Sequence, residues 1–166
     1  MSDLRPPWRR RPATAGFTTI ELVMVIVILG VLAAVAIPRM NTTSFASAGF
    51  RDEIVAALRY AQKSAVSHRR LVCASIGTTT VTLTIAASNP ASACSASLPS
   101  PSGSAAYATS TDTINATASA SPAGPLYFQP SGNVSTDGAG TSPSDFSITV
   151  AGESAITVVG TTGHVN

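Results

Sequence analysis

Charge is scarce in this sequence. Only 11% of its 166 residues are Asp, Glu, Lys or Arg, less than half of the roughly 25% usual in a soluble domain. Aromatic residues are equally thin at 5%, while 45% of the chain is hydrophobic. Disordered chains are depleted in apolar residues and rich in charge, so that class is excluded. No Lys or Arg follows Arg70, which argues against a basic nucleic-acid binder whatever the overall pI. The sequence also lacks a G-x-S-x-G elbow and a glycine-rich phosphate loop. His68 and His164 stand without Glu or Cys at metal-ligand spacing. No catalytic residue, metal or cofactor is expected, and the length allows one modest domain plus an appendage.

The charges that exist are unevenly placed. Arg5, Arg9, Arg10 and Arg11 against Asp3 give the first sixteen residues a net +3, and the formal +2 of the whole chain then leaves about −1 for the rest. Beyond Leu71 the only acids and bases are Asp112, Asp137, Asp145, Glu153 and His164. The distal part is mildly acidic.

After the arginines comes a long apolar run. Leu22–Ile37 reads LVMVIVILGVLAAVAI, and extension back to Phe17 gives twenty-one residues broken only by Glu21. As a helix this measures about 31 Å, enough for a hydrocarbon core of about 30 Å. The preceding arginines place the N-terminus in the cytoplasm and residues after about 40 outside. A plain signal anchor fits this pattern. A secretory signal peptide fits too, with Ala34-Val35-Ala36 as its small-residue cleavage site. Neither accounts for Glu21, because an acid at membrane depth is costly unless partnered.

Gly16-Phe17-Thr18-Thr19-Ile20-Glu21 followed by the apolar run resembles the processing site of type IV pilins and type II secretion pseudopilins. The resemblance implies a leader over residues 1–16, cut between Gly16 and Phe17 by a prepilin peptidase, with N-methylation of Phe17. It assigns Glu21 to assembly and register, and it makes residues 17–40 a transmembrane and assembly helix. Gly30 and Pro38 flank the second half of that helix at positions the family uses for flexibility. Glycine weakens a helix by about 1 kcal/mol and an interior proline by about 3 kcal/mol. In either residue's case an ordinary kink is the alternative.

Asn41-Thr42-Thr43-Ser44 is poor helix material, so a break or bend is expected there. Within 41–70, Phe50, Ile54, Ala57, Leu58, Ala61 and Ala65 form an apolar stripe at helical spacing. Arg51, Val55, Arg59, Gln62 and Lys63 fall on the other side, a solvated face or a partner surface. Arg69-Arg70 suits the helix dipole.

The period then changes. Leu126–Phe128 is a candidate strand stopped by the turn signal Gln129-Pro130-Ser131-Gly132-Asn133, and Val72–Ile76, Val81–Ile85, Phe146–Val150 and Ile156–Val159, β-branched and mostly alternating, predict strands. Ala151-Gly152-Glu153-Ser154 turns the last two into a hairpin. Residues 86–124, dominated by Ala, Ser, Thr and Pro, predict a long surface loop with short strands near Tyr107 and Ile114. This loop either carries binding specificity or passively covers a sheet edge. The expected fold is α+β: a long hydrophobic helix leading into a small antiparallel sheet domain over 71–166.

Cys73 and Cys94 are the only cysteines. On the outer, oxidising side of the membrane they predict one disulfide, with two buried thiols as the alternative.

Phe128-x-Pro130-x-Gly132 with Thr162-Gly163-His164-Val165 is similar to the H-type pseudopilins and FimT-like minor pilins, including the MSHA type, and so is Gly49–Val66. The resemblance implies a non-enzymatic subunit of a type II secretion pseudopilus or type IV pilus. Its partners would be other subunits, the inner-membrane assembly platform and the bacterial inner membrane. The chain would cross that membrane once, with its C-terminal domain periplasmic, before entering a periplasmic or surface filament. Some FimT-like members bind DNA through basic residues near the C-terminus. Here His164 stands where such a base would be, and DNA is not expected as a partner. A secreted or anchored periplasmic binding module with a conventional signal sequence is the alternative.

Overall fold

The computed structural model describes residues 16–36, 42–110 and 117–166. The chain divides into two compact units after Met40. The first contains helix α1, Thr19–Ala36, whose 18 residues include a single charge, Glu21. Every residue from Gly16 to Ala34 is exposed.

The second unit begins with α2, Thr42–His68. A helix boundary does fall in the stretch 41–44, where a break is expected: α2 opens at Thr42, and Thr42–Ser44 are helical, while Asn41 lies outside the described residues. Three weak helix formers cost only some tenths of a kcal/mol each, less than the packing of the helix behind them returns. That packing uses the apolar stripe: Phe50, Ile54, Ala57, Leu58, Ala61 and Ala65 are all buried. Helix α2 ends in a Schellman arrangement. Arg69 adopts φ 52°, and its N–H bonds Val66 O while Arg70 N–H bonds Ala65 O, satisfying carbonyls the helix leaves free.

Among the described residues nine strands follow: β1 Val72–Ile76, β2 Thr80–Ile85, β3 Ala96–Ser97, β4 Ala106–Thr109, β5 Ala118–Ser121, β6 Leu126–Phe128, β7 Val134–Ser135, β8 Phe146–Val150 and β9 Ile156–Val158. Six of them form one sheet, ordered β3-β2-β1-β6-β7, with β4 also paired to β2; β5-β8-β9 form another. All pairings are antiparallel. The β8–β9 hairpin turns through Ala151–Ser154, with Ile148 opposite Ile156.

Helix α2 packs on β1, β2, β4, β6 and β8. Alternation along β1 sends Val72 and Ala74 into this main core and Cys73 to the opposite face. There Cys73 and Cys94 form a disulfide, beside Leu71 and Ala86 in a small second cluster. The stretch 86–124 contributes more than surface. Leu98, Ala108 and Ala118 are buried in the main core, and the stretch supplies β3, β4 and β5. Small side chains suffice because neighbouring strands bring the bulk. The strand expected near Ile114 falls outside the described residues.

Candidate functional site

The N-terminal site is built on the start of α1. Thr18 caps the helix: its Oγ1 accepts the Glu21 N–H at 3.3 Å, and its carbonyl accepts the Leu22 N–H at 3.1 Å. This is one half of a capping box, with Glu21 at the third helical position. A carboxylate there is favoured by the positive end of the helix dipole. Gly16 and Phe17 precede the helix, outside any regular element and exposed, and Phe17 is 84% exposed. The Gly16–Phe17 bond is therefore reachable without unwinding any element. Residues 1–15 of the expected leader lie outside the described residues.

Gly30 sits inside α1, which continues through it unbroken, and a Cβ there would meet nothing within 4 Å. Pro38 lies outside the described residues. Among the described residues no helix is long and apolar enough to cross a membrane. Eighteen residues of α-helix measure about 27 Å, a few ångström less than a hydrocarbon core of about 30 Å.

The second candidate region lies in the sheet unit. Phe128 is fully buried, and the following turn is closed by Gly132 N–H to Gln129 O at 2.9 Å and Gln129 N–H to Asn133 O at 2.9 Å. Gly132 takes φ 94°, and Ser131 Oγ–H donates to Asn133 Oδ1. Gln129 is buried, and its amide donates to Ser135 Oγ at 3.1 Å and Gly138 O at 3.3 Å. Pro130 and Gly132 thus occupy a turn held from both ends. Gly163 comes against this turn, so the two separated sequence pieces, Phe128–Gly132 and Thr162–Val165, meet in space.

The polar side of α2 is more engaged than its sequence implied. Gln62 Nε2 donates to Thr162 O at 2.8 Å, Arg59 Nη2 to Val165 O at 3.1 Å and Arg51 Nε to Ser154 O at 2.9 Å. Each of these ties the helix to carbonyls about 100 residues away. Arg51 and Gln62 are half-buried in these contacts and Arg59 stays exposed; loop carbonyls need donors and α2 supplies them. No local sequence signal marks such pairs.

Titratable chemistry is sparse. Asp137 accepts N–H groups from Thr141 at 3.1 Å and Ser142 at 2.8 Å. These bonds, Thr141 first, hold its carboxyl below the ordinary carboxylate range. Asp145 Oδ1 accepts the Gly160 N–H at 2.8 Å. Both act as turn braces. Among the described residues no group of three His, Cys, Asp or Glu could hold a metal ion. A shallow depression of about 440 Å³ between Thr78, Thr117, Ser119 and Thr149 carries no titratable side chain among the described residues.

No family model matches the sequence, and no curated protein matches it. Two crystal structures of the type IV minor pilin FimU from Pseudomonas aeruginosa PAO1 are similar to the chain. One is 19% identical with a TM-score of 0.47, covering 71% of this chain and 89% of its own. The other, in a second crystal form, is 18% identical with a TM-score of 0.47, covering 76% and 87%.

Proposed function

We propose that the chain is a non-enzymatic minor pilin or pseudopilin. In this reading it is made as a precursor, cut between Gly16 and Phe17 by a prepilin peptidase and N-methylated on Phe17. It is held in the inner membrane by its apolar helix and then transferred to a type IV pilus or type II secretion pseudopilus. The observation that carries the reading is α1 itself. Its large hydrophobic side chains, from Ile20 at 65% exposed to Leu32 at 60%, are uncovered on every side. A helix apolar all round needs an apolar surrounding, here first lipid and then the equivalent helices of other subunits.

The exposed start of the helix supports the processing step. Cleavage frees a cationic α-amino group at Phe17, four residues before Glu21. A carboxylate buried among apolar helices is costly alone and tolerable when paired. Glu21 of one subunit pairs with the Phe17 amine of a neighbour, which neutralises both charges and fixes axial register. Gly30 and Pro38 allow the helix to extend on assembly.

Glu21→Val tests this directly. The variant inserts in the membrane and is processed as before, but it is depleted at least tenfold from sheared filament fractions. Normal incorporation would remove the pairing from the account. The competing reading, a secreted binding module, rests on Ala34-Val35-Ala36 as a signal-peptidase site and predicts a mature chain beginning at Ile37.

A further inference from the structure

Tyrosine is rare in this chain, which has three: Tyr60, Tyr107 and Tyr127. Two of them meet. Tyr60 lies on α2 and Tyr107 on β4, with ring centroids 5.4 Å apart and ring planes tilted by 35°. Both residues are half-buried against the main core, so each ring has one side against protein and another open to small reagents. A fault in strand alternation puts Tyr107 there. Val81 of β2 pairs with Ala108 and Thr82 with Ala106, which leaves Tyr107 as an extra residue, a bulge. Bulges favour sheet edges and re-aim a side chain, and among the described residues β4 pairs only with β2. Tyr127 stands apart. It lies opposite Cys73 in the β1–β6 register and packs in the second cluster, on the sheet face away from α2. Burial, and then the neighbouring Tyr60, push the Tyr107 hydroxyl above the ordinary phenol range, so Tyr107 keeps its proton at neutral pH.

We propose that Tyr60 and Tyr107 form a site of oxidative coupling, at which one carbon–carbon bond joins α2 to the edge strand β4. Each phenol first loses one electron and its proton. The radical left behind is shared between the oxygen and the ring carbons beside the C–O bond. Two such radicals in contact combine, and a bond forms between one ring carbon ortho to each hydroxyl. The hydrogens on those two carbons then move to the oxygens, which restores both phenols. The pair has lost two electrons and two protons in all. The oxidant is a peroxide acting through a haem peroxidase, and hydrogen peroxide takes up the electrons and protons to become two waters. The Cys73–Cys94 disulfide is of a kind that forms and persists in oxidising surroundings, where such an oxidant acts. The fold selects the partners. Holding two reactants in contact makes their combination effectively unimolecular, and the sheet itself separates Tyr127 from the pair. The bond would fix a bulged edge strand to the helix that covers the core. This proposal concerns the sheet unit alone and does not depend on the filament reading.

The test treats the full chain, in detergent micelles, with hydrogen peroxide and a haem peroxidase, and then digests it with trypsin. No Lys or Arg follows Arg70, so Tyr60 leaves in the short peptide Tyr60–Lys63 and Tyr107 in the long peptide that starts at Leu71. Coupling should join these two peptides at their summed mass less two hydrogens, with the blue emission of a biphenol. Fragmentation should place the bond on Tyr107. A mixture of unlabelled and heavy-nitrogen chains should give joined peptides of a single label, the mark of a bond within one chain. Tyr60→Phe and Tyr107→Phe should each lower the joined product at least tenfold, and Tyr127→Phe should leave it unchanged. Absence of the joined peptide would overturn the proposal. So would a product of mixed label only, which reports collision between chains, or a product that survives Tyr107→Phe by passing to Tyr127.

Discussion

Gly163 and Gly132, thirty-one positions apart in sequence, press backbone to backbone. A Cβ on Gly163 would overlap the carbonyl oxygen of Gly132 and come within 2.8 Å of Gln62 Nε2. Gly163 also adopts φ 65°, a conformation that an L side chain reaches at a cost of roughly 1 kcal/mol. The contact locks the turn after β6 to the turn after β9, at the end of α2. Gly163→Ala should therefore destabilise the sheet unit by about 2–3 kcal/mol, strain and overlap together. Urea unfolding of the variant against the native chain measures this, and a loss under about 0.5 kcal/mol, the scatter of a neutral surface change, would contradict the contact.

Arg69 offers the opposite sign. It ends α2 at φ 52°, where glycine carries no side-chain penalty. Arg69→Gly should raise stability by about 0.5–1 kcal/mol. The same unfolding experiment reads it, and destabilisation would show that the side chain makes a contribution absent from this account.

The Cys73–Cys94 disulfide closes a loop over a sequence separation of 21 and covers the face of the sheet opposite α2. Replacing both cysteines with alanine should cost about 3 kcal/mol in the chain-entropy view. Intact mass after alkylation, with and without reductant, checks the bond, and the urea midpoint checks its contribution. Incorporation of two alkyl groups without reductant would refute the pairing.

Asp137 makes stability depend on acid. Its carboxyl lies below the ordinary range in the folded chain because the N–H groups of Thr141 and Ser142 hold the charged form. The linked stability is fully present above the unfolded carboxylate value of about 4. It disappears as pH falls through the lower folded value. Asp137→Asn should flatten the native chain's loss of stability in that acid window and change little of the slope at neutral pH. An unchanged acid limb would remove Asp137 as its source.

Much of the fold was legible because its elements are periodic. The stripe from Phe50 to Ala65 specified a helix and its buried face, β1, β2, β8 and β9 were marked by β-branched alternation, and β6 by large apolar residues stopped at a Pro/Gly turn. Strands β3, β5 and β7 were not, because Ala96–Ser97, Ala118–Ser121 and Val134–Ser135 are short and made largely of small residues without a period. The helical course of α1 could be read from its apolar run. The bonds from Arg51, Arg59 and Gln62 to distant carbonyls could not, since nothing near those residues identifies the acceptors. The positive φ of Arg69 was equally hidden, because arginine carries no preference for it.

The central claim is that the apolar helix is kept and the segment before it removed. The measurement that tests it most directly is the N-terminal sequence and intact mass of the exported chain from cells expressing the full sequence. The account predicts a mature protein that begins with N-methylated Phe17 and retains Glu21 and the whole of α1. A mature protein beginning at Ile37, with the helix discarded, would contradict it.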